Sequence, residues 1–326
     1  MSVKGPTPSP RVAPVVSGWR SRALLLSVLV SALGYLVFAL VSGWREVAAA
    51  IAQAGLFGLM FVLTLSLTNY GLRFARWQLY LHTLGHRIPW RTSLHVYLAG
   101  FALTATPGKA GEAFRGVLLK RHGVPYPDSF AAFVSERLSD LVVIVLLAFF
   151  GMALYPKAAP LILLAGGGGI LFLMLLSQPQ WFPRLQRRMP TTNLVQPWIR
   201  YGVEILQQAS RCHRLRTLTL ATILGLAGWT AEVIGFFLIL HWLNLDVSIV
   251  FAAFVFAVSV LAGALSFTPG GLGSTEAVMI GLLLWKGVAL PDATAATLLI
   301  RACTLWFAVV IGSIASSFLV RSNARI

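Results

Sequence analysis

Glu136, Arg137 and Asp140 lie within about one helical turn of each other, inside an otherwise apolar run. Residues four apart share a helix face, so Glu136 and Asp140 align, and Arg137 reaches Asp140 one turn on. Counted from Asp128, they stand about 12–18 Å along a helix rising 1.5 Å per residue. An ionisable group at that depth in a bilayer costs at least ~2.5–3.5 kcal/mol, so it lines a cavity or finds a partner. The chemistry open to this set is headgroup binding, carriage of a proton, or a structural ion pair. The chain has ten acidic residues in all, and Glu112, Glu232 and Glu276 also fall in or beside apolar segments. Arg301 stands at a depth equivalent to Arg137, with Glu232 and Glu276 as its candidate partners. Arg73 and Arg76, one turn apart at the end of another apolar run, either join the set or snorkel to the interface.

A second group of residues supplies backbone chemistry. Thr106-Pro107-Gly108-Lys109-Ala110-Gly111-Glu112 and Thr268-Pro269-Gly270-Gly271-Leu272-Gly273-Ser274-Thr275-Glu276 are two versions of one phrase. Proline removes a donor and clashes with the preceding turn, so Pro107, Gly108, Pro269, Gly270 and Gly271 break their helices. Where a half-helix restarts, free N–H groups and the positive dipole end create an anion site. Lys109 and Arg115 strengthen the first one and favour a phosphate-bearing ligand. Glu112 and Glu276 fall in the first turn of their half-helices, where simple capping also explains them. Gly108-Lys109-Ala110 lacks the hydroxyl of a nucleotide phosphate loop. No nucleophile with a base and no metal-ligand spacing is visible, and Cys212 and Cys303 form no disulfide framework. We therefore expect no catalytic residue, no metal and no cofactor.

The elements that must hold these residues are membrane helices. Of 326 residues, 57% are hydrophobic and 11% are charged, against roughly 25% charged in soluble domains. The net charge of +16 resides in basic clusters between apolar runs, where orientation and anionic lipid explain it better than nucleic acid. The positive-inside rule puts these clusters in the cytoplasm and yields a path of six spanning helices. They cover residues 23–41, 56–80, 128–155, 158–177, 217–243 and 292–320. Residues 92–121 and 248–286 become re-entrant hairpins, because each arm of the first is roughly 18 Å long against a ~30 Å core. Eight spanning helices are the alternative. The basic stretch with Arg200, Arg211, Arg214 and Arg216 reads as an interfacial helix.

The halves echo each other beyond the breaks. Leu98-Ala99-Gly100 matches Leu261-Ala262-Gly263, Pro127-Asp128 matches Pro291-Asp292, and Arg137 and Arg301 follow those aspartates at equal distance. Opposite membrane entry makes this an inverted repeat, the arrangement of many transporters. The expected fold is thus all-α. It has a cytoplasmic tail (1–22), a first repeat (23–177), a basic loop (178–216), a second repeat that shares helix 158–177 (158–320), and a C-terminal tail (321–326).

The order Arg73-x-x-Arg76-Trp77, Pro107-Gly108-Lys109-x-Gly111-Glu112-x-x-Arg115, Glu136-Arg137-x-x-Asp140 and Thr268-Pro269-Gly270-Gly271-Leu272-Gly273-x-x-Glu276 carries a resemblance. It resembles the lysylphosphatidylglycerol synthase transmembrane-region family, flippase-like proteins similar to the membrane half of MprF. The likeness covers residues 23–320 or thereabouts. It implies movement of aminoacylated phospholipid between leaflets. In MprF a soluble C-terminal domain performs the aminoacyl transfer. The sequence ends at Ile326 directly after its last apolar segment, so lysyl transfer is not expected here. Relatives associated with hopanoid or polyprenyl-lipid pathways leave the lipid open.

The expectation is flippase-like translocation of an anionic or aminoacylated lipid, or a lipid-linked precursor, without ATP hydrolysis. Its place would be the bacterial inner membrane, with both termini cytoplasmic. Arg73, Arg76, Lys109, Arg115, Arg137 and Arg301 are the candidate headgroup-binding residues. Glu112, Glu136, Asp140, Glu232 and Glu276 would balance those charges or respond to protons. Two alternatives stand beside this: a membrane enzyme in which Glu136 and Asp140 do acid–base work, and an accessory subunit presenting lipid to a biosynthetic enzyme.

Overall fold

The computed structural model describes residues 44–104, 106, 114–152, 159–176, 196–266 and 268–323. The expected first helix (23–41), the residues of the first break from Pro107 to Glu112, and the start of the basic loop lie outside the described residues. Among the described residues the regular structure is helical, with no strand. The helices are α1 (Trp44–Thr83), α2 (Trp90–Phe101), α3 (Arg115–Lys120), α4 (Tyr126–Met152), α5 (Ala159–Leu176) and α6 (Gln196–Cys212). They continue with α7 (Leu215–Trp242), α8 (Ile249–Leu265), α9 (Ser274–Trp285), α10 (Leu290–Arg301) and α11 (Phe307–Asn323). A π turn, Ala302–Trp306, joins α10 to α11.

Local chemistry sets the boundaries. α1 begins earlier than the expected 56–80 because Gly55 takes a non-helical backbone (φ 64°) and links two helical stretches, a conformation glycine adopts without a Cβ penalty. α3 and α9 close alike: Gly123 and Gly287 turn left-handed (φ 81° and 94°). The next N–H then reaches back, Val124 to Leu119 O at 3.2 Å and Val288 to Leu283 O at 3.1 Å. This is the glycine-terminated helix end that satisfies orphan carbonyls. The sequence match between the two copies therefore extends to the way their post-break helices stop. Ser248 caps α8 by accepting from Phe251 N–H.

Three stretches, Val47–Thr83, Leu215–Trp242 and Leu290–Ser317, are long and apolar enough to cross a membrane. α4 has 27 residues, about 40 Å of helix, and its three central charges alone mask its apolar character. α8, α9 and α2 are shorter, at 17, 12 and 12 residues. α8 and α9 pack on each other as a hairpin. α6, the expected interfacial helix, lies against α4 and buries Val203, Ala209 and Cys212.

The principal interfaces pair elements from the two expected repeats: α1 with α7, α4 with α8, and α2 with α11. Glycines bring the first pair close. A Cβ on Gly228 would sit 3.2 Å from Asn69 Nδ2, one on Gly225 2.8 Å from Arg76, and one on Gly235 3.3 Å from Val62. One apolar core is built around Phe236, Ile239, Phe254, Val255 and Ile300, and a second around Tyr70, Trp77, Tyr97 and Phe101. The outer surface is also apolar, with Leu56, Phe57, Leu164 and Leu215 largely exposed, as a hydrocarbon surround requires.

Candidate functional site

The deepest charges converge where α1, α2, α3 and α4 meet. α1 presents Arg73 and Arg76, α3 starts with Arg115, and α4 carries Glu136, Arg137 and Asp140. Arg115 Nη2 donates to Glu136 Oε2 at 2.7 Å, and the Tyr97 hydroxyl donates to Oε1 at 3.2 Å. Arg73 Nη2 lies 3.7 Å from both Glu136 Oε1 and Asp140 Oδ2. Arg76 Nη2 donates to Asp140 Oδ1 at 2.5 Å, and Trp229 Nε1 donates to the same oxygen at 3.1 Å. Arg137 Nη2 stands 3.2 Å from Asp140 Oδ2 and 3.6 Å from Glu136 Oε1.

Arg76, Arg115 and Glu136 are fully or almost fully buried, whereas the Arg137 side chain keeps 24% of its surface. Buried charges survive only when geometry and hydrogen bonds repay their dehydration. Here aromatic rings add to that repayment. The Arg115 guanidinium lies 4.4 Å from the Trp77 ring centre and 4.9 Å from that of Tyr97, within cation–π range. Arg73 and Arg76 thus belong to the internal cluster and do not snorkel. Among the described residues the cluster has four guanidinium groups and two carboxylates.

The second constellation sits at the tip between α8 and α9. Arg301 Nε donates to Glu276 Oε1 at 2.6 Å, and its Nη2 donates to the Gly270 carbonyl at 2.8 Å. Glu276 Oε2 accepts from Gly273 N–H at 2.7 Å, so this carboxylate both caps α9 and holds the arginine. Of the two expected partners of Arg301, the structure selects Glu276. Glu232 instead lies buried on α7, within electrostatic reach of Tyr70. Gly270 and Gly271 take left-handed backbones (φ 61° and 71°) beside Pro269. A Cβ on Gly271 would meet Thr275 Oγ1 at 2.6 Å and Gly263 Cα at 3.2 Å. Ser266, Thr268 and Ser274 hydroxyls bond to one another alongside.

The two breaks touch. Gly270 N–H donates to the Thr106 carbonyl at 3.4 Å, joining the residue before the first proline to the one after the second. Lys109, Glu112, Pro107 and Gly108 lie outside the described residues. Arg115, which follows that first tip, is the residue that locks onto Glu136.

Sequence reasoning missed the neutral partners. Ser66, Asn69, Tyr70, Arg73, Arg76 and Tyr80 are all buried on α1, and their spacing of three and four marks one polar face of an apolar helix. That spacing was visible. Tyr97 and Trp229 had no such signal, because each is a lone polar-tipped aromatic on another helix. The Tyr70 hydroxyl donates to the Thr304 carbonyl inside the π turn, which ties the first constellation to the helix bearing Arg301. Among the described residues no group of His, Cys, Asp and Glu could hold a metal ion. Burial pushes the Cys212 thiol up to about 12 despite the Ser135 hydroxyl beside it, so this thiol is no nucleophile near neutral pH.

Residues 24–312 match the family model described as the lysylphosphatidylglycerol synthase TM region. A UPF0104 membrane protein of Methanocaldococcus jannaschii is 28% identical over 223 residues, which is 66% of this chain and 92% of that protein. A UPF0104 membrane protein of Methanothermobacter thermautotrophicus is 24% identical over 251 residues, covering 70% of this chain and 75% of that one. With apolar helices, charges gathered inside and a family match across most of its length, the chain belongs to the lysylphosphatidylglycerol synthase TM-region family and is an integral membrane protein.

Proposed function

We propose that the protein moves a lipid with an anionic phosphoryl headgroup, aminoacylated or not, from one leaflet to the other. No ATP is hydrolysed, and movement follows alternating access around a fixed central site. The observation that carries this reading is the gathering of four guanidinium groups among the described residues, one of them partly exposed, next to two touching helix breaks. Guanidinium groups present a rigid fork of donors that matches phosphoryl oxygens, which favours an anionic phosphoryl ligand. Arg137, the most exposed of the four arginines, is the group that meets the headgroup first. Arg73 stands behind it, and Arg76 and Arg115 hold the carboxylates in place.

Several finer features belong to this proposal. α8 and α9 form a re-entrant hairpin, its 12-residue second arm being only about 18 Å long. The post-break helix of the first copy enters from the opposite side, which makes the halves an inverted repeat. The basic clusters and both termini face the cytoplasm of a plasma membrane. Glu136 and Asp140 are committed to arginines, which favours binding over acid–base catalysis and a transporter over an enzyme.

The test is leaflet exchange of a headgroup-labelled anionic phospholipid in proteoliposomes, read with an impermeant quencher. The wild type should exceed protein-free liposomes. Arg137→Ala should slow exchange roughly ten- to hundredfold, the loss of one charge-assisted hydrogen bond of about 1.5–3 kcal/mol. Wild-type exchange equal to empty liposomes overturns the proposal.

A further inference from the structure

We infer that the Arg115–Glu136 pair is a releasable latch, opened when an anionic phosphoryl group takes Arg115 from Glu136, an inference that rests on the proposed lipid site. α3 then parts from α4, while its counterpart α9 stays packed. The two halves share one register here. Glu112 and Glu276, Gly123 and Gly287, Pro127 and Pro291, and Arg137 and Arg301 all match at one constant spacing. α3 and α9 also close by the same glycine turn, onto the carbonyls of Leu119 and Leu283. That register sets Met279 opposite Arg115, and Ile300 opposite Glu136. Met279 and Ile300 are 0% and 1% exposed and belong to one apolar core. The second half therefore has apolar side chains where the first has an ion pair. Apolar residues of similar size commonly hold a buried site as well as an ion pair does, or better. Stability alone thus gives no reason for the charges on α3 and α4.

The surroundings of the pair allow an exchange of partners. Besides Arg115 at 2.7 Å, Glu136 has Arg73 Nη2 at 3.7 Å, Arg137 Nη2 at 3.6 Å and the Tyr97 hydroxyl at 3.2 Å. When Arg115 withdraws, this carboxylate keeps two cations and a donor, so no buried charge is stranded. A phosphoryl group offers Arg115 the same forked acceptor that a carboxylate does. Both charges stay paired on either side of the exchange. The Arg115 side chain runs across Gly100, where a Cβ would fall 2.7 Å from its Cγ, so that helix leaves it an open track. The second half has no such exchange to make. Arg301 holds both Glu276 and the Gly270 carbonyl at that tip, and Met279 and Ile300 carry no charge for a ligand to claim. A ligand shifts a conformational balance only by binding one state better, and Arg115 freed from Glu136 is the contact that the opened state adds.

Ser129 reports the seam between α3 and α4, because a Cβ on Gly116 would sit 3.2 Å from its Cβ. Its counterpart in the second half is Ala293, and both are buried. The experiment is maleimide labelling of Ser129→Cys and of Ala293→Cys in the full chain, with the labelled site read by peptide mass. Short-chain phosphatidylglycerol is the probe in one arm and inorganic phosphate in the other. The lipid should speed labelling at Ser129→Cys at least tenfold and leave Ala293→Cys unmoved. The double variant Arg115→Met/Glu136→Ile copies the second half. It should keep Ser129→Cys protected, slow lipid exchange at least tenfold and unfold at the same or a higher temperature. If that variant does not fold, the labelling pair in the otherwise native chain decides. Labelling at Ser129→Cys that ignores both probes, equal opening at Ala293→Cys, or native exchange in the double variant overturns the latch and leaves the lipid site standing. Opening by inorganic phosphate but not by the lipid supports a latch released by anions and overturns the lipid as what releases it. Lipid-driven opening in a protein that exchanges no lipid supports the latch and overturns translocation instead.

Discussion

Arg76 is enclosed on every side, its guanidinium bonded to Asp140 and pressed toward Gly225. Deleting one member of such a pair strands the other charge, whereas removing both is far milder. Arg76→Ala should therefore cost about 3–5 kcal/mol, and adding Asp140→Ala should recover part of it. Thermal unfolding of the detergent-solubilised protein measures both. The contrast separates this residue from Arg137, whose loss should slow exchange far more than it lowers stability. Sequence spacing located Glu136, Arg137 and Asp140 correctly, because charges inside an apolar run are conspicuous. It could not say which arginine met which acid, since those partners come from three different helices.

Helices and their seams follow rules that were partly visible in advance. The Pro-Gly breaks and the long apolar runs were legible as pattern. The π turn at Ala302–Trp306 was not, because a single extra residue in a helix leaves no compositional trace. Asn69 and Tyr70 were overlooked for a related reason: neutral polar residues in a span attract notice only when the whole face from Ser66 to Tyr80 is considered together. Close crossings were equally hidden, because a glycine in the sequence does not name its neighbour. Gly151 on α4 has Phe254 of α8 so near that a Cβ would fall 2.2 Å from the phenylalanine Cβ. Gly151→Ala should force α4 and α8 apart and cost about 1–3 kcal/mol, read as a lowered unfolding midpoint.

At the scale of the whole molecule, the two tips meet through Gly270 and Thr106, and Arg301 grips the second tip from α10. A transporter reading requires that junction to open and close. A flexible thiol-reactive cross-linker between Leu103→Cys and Thr268→Cys, two partly exposed positions flanking the junction, should form and stop lipid exchange, while leaving unfolding temperature unchanged or higher. Exchange that persists at full cross-linking would show that the tips do not move. The native Cys212 and Cys303 are both buried, which keeps them from competing for the reagent.

The glycine-lined contact between α1 and α7 has a steric corollary. With backbone and side chains meeting at Gly225, Gly228 and Gly235, that junction has no slot wide enough for a hydrocarbon tail. If a lipid headgroup enters the protein as proposed, its fatty chain must trail into the bilayer through some other crevice, which confines the exit to the remaining flanks.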